Sequence, residues 1–228
     1  SLSCFTSFLI AGRFTHASLD SLHPLLLPHL NREETVINAA TAIEELIEQS
    51  SGLSGASSVT RFMTRSRTEH LVVHWATTPT IRDIIDHAVR DEDTTFESLA
   101  IIKLLVVLSE HFITFLFLSV PSSSTMQHLT LSSPPVIHLL HSLLAITTFP
   151  GHTTESYIIN DFPSGVWLAL QEECSDDGLV KCEGEGREGR RGKEHEWNVV
   201  EGVFEALANG LRKRAEWPDI HSWPKGIS

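Results

Sequence analysis

The clearest periodicity in the chain lies between residues 31 and 49. Val36, Ala39, Ala40, Ile43, Leu46 and Ile47 fall at the i, i+3, i+4, i+7 spacing of one helical face, with Glu33, Glu44, Glu45 and Glu48 on the other side. Asn31, followed three residues later by Glu34, is expected to cap this helix. Upstream, "HASLDSLHPLLLPHL" predicts a shorter helix, bent or capped around Pro24 and Pro28. Ile81, Ile84, Ile85 and Ala88 give a second clean stripe, and Thr94-Thr95-Phe96-Glu97 reads as a capping box that opens a long apolar helix to about Leu118. Pro135 starts a further helix through "PVIHLLHSLLAITTF". The segment "SGVWLALQEE" predicts its partner, beginning at Ser164 because Pro163 does not fit a helix interior. Val200, Phe204, Leu207 and Leu211 mark one face of a last helix, whose basic end at Arg212, Lys213 and Arg214 suits a C-terminus.

Between these segments run Ser50–Arg61, Pro121–Pro134 and Cys174–Glu196, rich in Ser, Gly, Pro or charge. The chain therefore divides into helix pairs over 16–50, 66–118 and 134–173 and a last helix over 197–214, with no alternating strand pattern. Tandem antiparallel pairs predict an all-α fold, a HEAT-type α-solenoid segment spanning 1–228 as one unit. The spacing is irregular and exceeds the usual ~40–47 residues per unit, which loop insertions would explain. A compact helical bundle is the structural alternative.

Composition narrows the function classes. The 228 residues carry 29 acidic and 17 basic side chains, a formal charge of −12. Broad nucleic-acid binding needs a basic footprint, whereas basic protein partners suit this balance. Cys4, Cys174 and Cys182 are odd in number and widely spaced, which argues for a reducing compartment rather than a disulfide framework. Residue 1 is Ser and no charged region precedes "CFTSFLIAG", so no signal peptide is expected and the chain reads as an internal fragment. Leu99–Val120 has the length of a membrane span, but Lys103 and the central Ser109-Glu110-His111 oppose insertion. A charge at mid-bilayer costs roughly 2.5–3.5 kcal/mol, so the expectation is a helix buried among other helices.

The candidate chemistry is thin. Gly184, Gly186 and Gly189 spell a literal G-x-G-x-x-G. A dinucleotide loop follows a buried strand and opens a helix at a pyrophosphate. Here only Leu179 and Val180 precede it, and Glu183, Glu185 and Glu188 would repel the phosphate. Residues 183–196 are instead expected to form a disordered, charged insertion. His70 and His74, like His138 and His141, sit at helical spacing but lack a further ligand, and Cys174 and Cys182 lack zinc spacing. Ser109, Glu110 and His111 are neighbours in sequence, whereas a triad is made by convergence in space. No catalytic, cofactor or metal site is expected. A small enzyme built on the glycine run or the histidine pairs stays open as a distant alternative.

"LLHSLLAITTFPGH", Leu139 to His152, followed by "VWLALQEE", Val166 to Glu173, resembles a segment of nuclear transport receptors. The branch is the importin-13 and transportin-3 group of the importin-β (karyopherin) superfamily. Phe149-Pro150-Gly151 and Trp167 with Leu170-Gln171-Glu172-Glu173 follow that group's order. "LLVVLSEHFITFLF" is similar to another of its helices, with Ser109 where Gly is common, and "ALANGLRKRAEWPDIHSWPK" to a third, through Trp217-Pro218, Asp219 and Trp223. The resemblance covers Asp93 to Lys225 in register. It departs in the shortened aromatic run Val166-Trp167-Leu168, in Pro163, and in the inserted run Glu183–Glu196.

The resemblance implies an internal part of a receptor that carries protein cargo between cytoplasm and nucleus under control of the Ran GTPase. It would contact partners through the second helix of each pair and catalyse nothing. The residues so implicated are Glu97, Lys103, Glu110, Trp167, Glu172, Glu173, Trp217 and Trp223. Trp167 is the one expected to pack between repeats instead. The alternative is a generic HEAT-repeat protein-interaction scaffold without Ran dependence.

Overall fold

A computed structural model describes residues 24–51, 68–91, 95–116, 129–147, 163–175 and 187–215. These residues form an all-helical protein with no strand among them. After a 3₁₀ turn at Leu27–Asn31 come α1 (Val36–Ser51), a π-helical turn at Val72–Ala76, α2 (Pro79–Asp91) and α3 (Phe96–Leu116). α4 (Pro134–Thr147), α5 (Ser164–Ser175) and α6 (Arg187–Ala215) follow.

The helix starts show how local chemistry places the elements. Asn31 closes the 3₁₀ turn rather than capping α1. The chain turns once more, and the Val36 amide bonds the Arg32 carbonyl while the Ala39 amide bonds that of Thr35. The Thr35 hydroxyl donates to the His29 carbonyl at 3.0 Å and ties this turn to the 3₁₀ segment. Pro28 fixes φ in the first residues of that tight turn. At α3 the cap falls one residue after the expected Thr94. The Ser98 amide donates to Thr95 Oγ1 at 3.2 Å, and the Ser98 hydroxyl returns a bond to the Thr95 carbonyl at 2.9 Å. α4 opens on Pro134 and Pro135, whose missing N–H groups would have been unsatisfied at a helix start anyway. α5 begins at Ser164 as expected, its first bond running from the Trp167 amide to the Pro163 carbonyl. α6 begins at Arg187, before the expected Trp197, so the backbone over 187–196 is helical where a disordered insertion was expected. Arg, Glu and Lys are good helix formers and outnumber glycine over those residues.

α3 lies at the centre of the packing. Its main neighbour is α1, then α5, α2 and α4. Ile101, Ile102, Leu104, Leu105, Leu108, Phe112 and Ile113 are all buried. A helix apolar over most of its circumference needs neighbours on most sides, and here other helices supply them. None of the helices among the described residues is long and apolar enough to cross a membrane. Ser109 is fully buried, and its hydroxyl donates back to the Leu105 carbonyl at 2.6 Å, so its own polar proton is satisfied within the helix.

Two further sets of contacts complete the core. α2 packs on α4 and α4 on α6, while the π turn also reaches α4. The α4–α5 junction holds a buried hydrogen-bond chain, in which Trp167 Nε1 donates to Thr147 Oγ1 at 2.9 Å and that hydroxyl donates to the Leu143 carbonyl at 2.8 Å. The π turn ends where the Thr77 hydroxyl caps the Val72 and Val73 carbonyls, and Pro79 then restarts the helix as α2.

Between α1 and α3, Lys103 Nζ donates to Glu44 Oε2 at 2.8 Å. Glu44 was expected on the polar side of its helix, yet it is only 7% exposed, because α3 covers that side as well. A buried carboxylate needs a charged or hydrogen-bonding partner, and Lys103 provides one while its own side chain stays about half in water. Replacing Lys103 with alanine is expected to cost about 1–2 kcal/mol. That is less than the 3–5 of a fully buried pair, since solvent reaches the lysine side. Changing the pair together, Lys103→Met with Glu44→Leu, is expected to recover most of the loss. Equal Tm values for Lys103→Ala and the parent chain would remove the pair from the account of stability.

Candidate functional site

The residues implicated by sequence separate into three settings. On α3, Phe96, Lys103 and Glu110 are exposed and recur every seven residues, so they form one line along the helix. Lys103 reaches over to α1 and Glu110 lies beside α5. A Cβ added at Gly165 would come within 2.9 Å of the Glu110 carboxyl carbon. Glycine at that position is therefore what lets the first turn of α5 lie against this carboxylate, and a helix N-terminus favours a negative charge nearby.

Glu97 is turned away from that line. It is six residues from Lys103 and so roughly 120° around the helix. It lines a cleft between α2 and α3 instead, with Thr80, Asp83, Ile84, His87, Ala88, Thr95, Ser98 and Ile101. The cleft encloses about 650 Å³. Its apolar residues, Ile84, Ala88 and Ile101, are the inward-turned positions of the two helices, and its charges come one from each, Asp83 from α2 and Glu97 from α3. Sequence reasoning had not singled out Asp83. It sits on the polar face of a well-read helix, and periodicity alone does not say what faces that side.

Trp167 belongs to the core, 7% exposed with its indole N–H engaged, and is a packing residue rather than a surface anchor. Glu172 is exposed on α5. The side chain of Glu173, together with Trp217 and Trp223, lies outside the described residues. The structure thus groups Lys103 with Glu110 and sets Glu97 and Trp167 apart.

The residues considered for chemistry are arranged as follows. The Ser109 hydroxyl is engaged with its own helix, while Glu110 is exposed and His111 half-buried at successive positions around α3. Three consecutive helical residues diverge by about 100° each and do not converge on one point. The His70 and His74 rings stack at 4.4 Å between centroids, tilted by 44°. Burial holds the His70 imidazole below its ordinary value of 6.5, with the neighbouring His74 adding to the shift. Among the described residues no three His, Cys, Asp or Glu side chains are grouped so as to hold a metal ion. The glycines at 184 and 186 fall outside the described residues, whereas Gly189 lies within α6. Trp75 Nε1 and His29 Nδ1 are buried with no hydrogen-bond partner among the described residues.

The chain matches no protein-family model, no curated protein and no solved structure.

Proposed function

We propose that this chain is a segment of a HEAT-type α-solenoid that binds protein partners, and that it acts in nuclear transport as a receptor for protein cargo under Ran control. The observation that carries the reading is the order of packing. Among the described α-helices, those two apart in order lie on one another, α1 on α3 and α3 on α5, and likewise α2 on α4 and α4 on α6. Contacts between α2 and α3 and between α3 and α4 join the two rows. Consecutive hairpins stacked in register produce this alternation, with each pair contributing one helix to each layer. A bundle closed around a shared centre has no reason to separate odd from even helices, although the central position of α3 is a feature it would share.

The row α1, α3, α5 is the second helix of each pair, the one expected to face partners. Its outward side carries Phe96, Lys103, Glu110, Leu168 and Glu172. Broad helical faces with scattered charges suit protein recognition, in which large surfaces are matched over many side chains. The direction toward nuclear transport comes from the resemblance in the α3, α4–α5 and α6 segments. The chain catalyses nothing in this reading and holds no cofactor.

The test is retention of Ran by the immobilised chain, comparing its GTP-loaded and GDP-loaded forms. Preferential retention of the GTP form is the expected result. Retention of neither overturns the Ran-controlled reading and leaves a HEAT-repeat scaffold that binds partners without Ran.

A further inference from the structure

We propose that the cleft between α2 and α3 is a docking site for an extended, arginine- or lysine-bearing segment of a protein partner. The proposal rests on the protein-binding reading only in taking its occupant to be a protein; it needs neither Ran nor a transport cargo.

Two observations converge on this cleft. It encloses about 650 Å³, within the ~300–1,000 Å³ of concave sites that hold ligands of several rigid groups. That is room for a short stretch of peptide rather than one side chain. Two carboxylates border it from different helices, Asp83 and Glu97, and neither is ion-paired or hydrogen-bonded within the described residues.

The occupant follows from charge and shape. An anion is repelled by Asp83, Glu97 and the net charge of −12. A neutral apolar segment would cover the two carboxylates without pairing them, which is costly. A basic side chain meets both demands: its aliphatic stem lies along Ile84, Ala88 and Ile101, and its head reaches the carboxylates. An extended peptide also fills the rest of the cleft's roughly 650 Å³, which a free polyamine would leave open.

The experiment is fluorescence anisotropy of a labelled peptide of alternating leucine and arginine, titrated with the full chain. Saturable binding that weakens with added salt is expected. Asp83→Asn combined with Glu97→Gln is expected to weaken it by about tenfold or more. Glu201→Gln with Glu205→Gln, an equal charge change on exposed positions of α6, is expected to leave it within about twofold. Equal weakening by the α6 pair, or equal binding of a peptide with glutamate in place of arginine, overturns the proposal. A second readout needs no variant. A benzophenone-bearing form of the peptide is cross-linked to the native chain and the site mapped by proteolysis. Capture within α2 and α3 supports the proposal, and capture elsewhere sinks it. Peptide binding that persists while Ran is not retained separates this inference from the transport reading.

Discussion

Replacing Phe112 with alanine is expected to lower the unfolding free energy by about 3–5 kcal/mol, the cost of deleting a buried aromatic ring and leaving a cavity. Phe112 is fully buried on α3, the helix that α1, α2, α4 and α5 all touch. Its removal leaves a void in the packing around α3 that the surrounding helices cannot all collapse inward to fill. Phe96 provides the internal control, as a phenylalanine on the same helix that is mostly in water. Phe96→Ala is expected to change stability by no more than about 0.5 kcal/mol. Urea unfolding followed by far-UV circular dichroism measures both. A Phe112→Ala midpoint near that of the parent chain would mean that α3 is not the centre of the core.

What the sequence made legible, and what it did not, divides along a physical line. Signals carried by one segment were readable. Pro163 marks the start of α5 because its ring excludes it from a helix interior, and the Ile81, Ile84, Ile85 stripe of α2 turns Ile81 and Ile85 fully inward. The apolar run of α3 pointed to burial because of Lys103 and the polar residues at its middle, and the helix is covered by its neighbours. Signals set by two segments were not readable. Glu44 looks like any other acid on a solvated face, and only the arrival of α3 buries it against Lys103. The cleft needs the crossing of α2 and α3 to bring Asp83 near Glu97, and nothing in either stripe encodes that crossing. Helix ends slipped for a related reason. At α3 the Thr95 hydroxyl takes the cap by accepting from the Ser98 amide, whereas before α1 the Thr35 hydroxyl donates to the His29 carbonyl and ties two turns together. Trp167 was expected to pack between helices, but its link to Thr147 was not visible, since the threonine lies at the far end of the preceding helix.

That link makes Trp167 the second large prediction. Trp167→Ala is expected to cost about 3–5 kcal/mol from lost ring volume alone, and it also leaves Thr147 Oγ1 without its donor. Thr147→Val isolates the polar part: the indole N–H is then buried without an acceptor, at about 1–3 kcal/mol. Introducing Trp167→Phe into the Thr147→Val background is expected to cost less than in the parent chain, because the unmet donor disappears with the indole. The distribution of the loss matters more than its size. In a stack where each hairpin leans on its neighbours, a defect at the α4–α5 junction weakens those helices first and reaches α1 mainly through α3. Hydrogen exchange on Trp167→Ala is therefore expected to show protection falling most in α5 and α4, less in α3 and least in α1. A uniform fall across all six helices would identify a single cooperative bundle. It would remove the packing argument on which the solenoid reading, and with it the transport reading, depends.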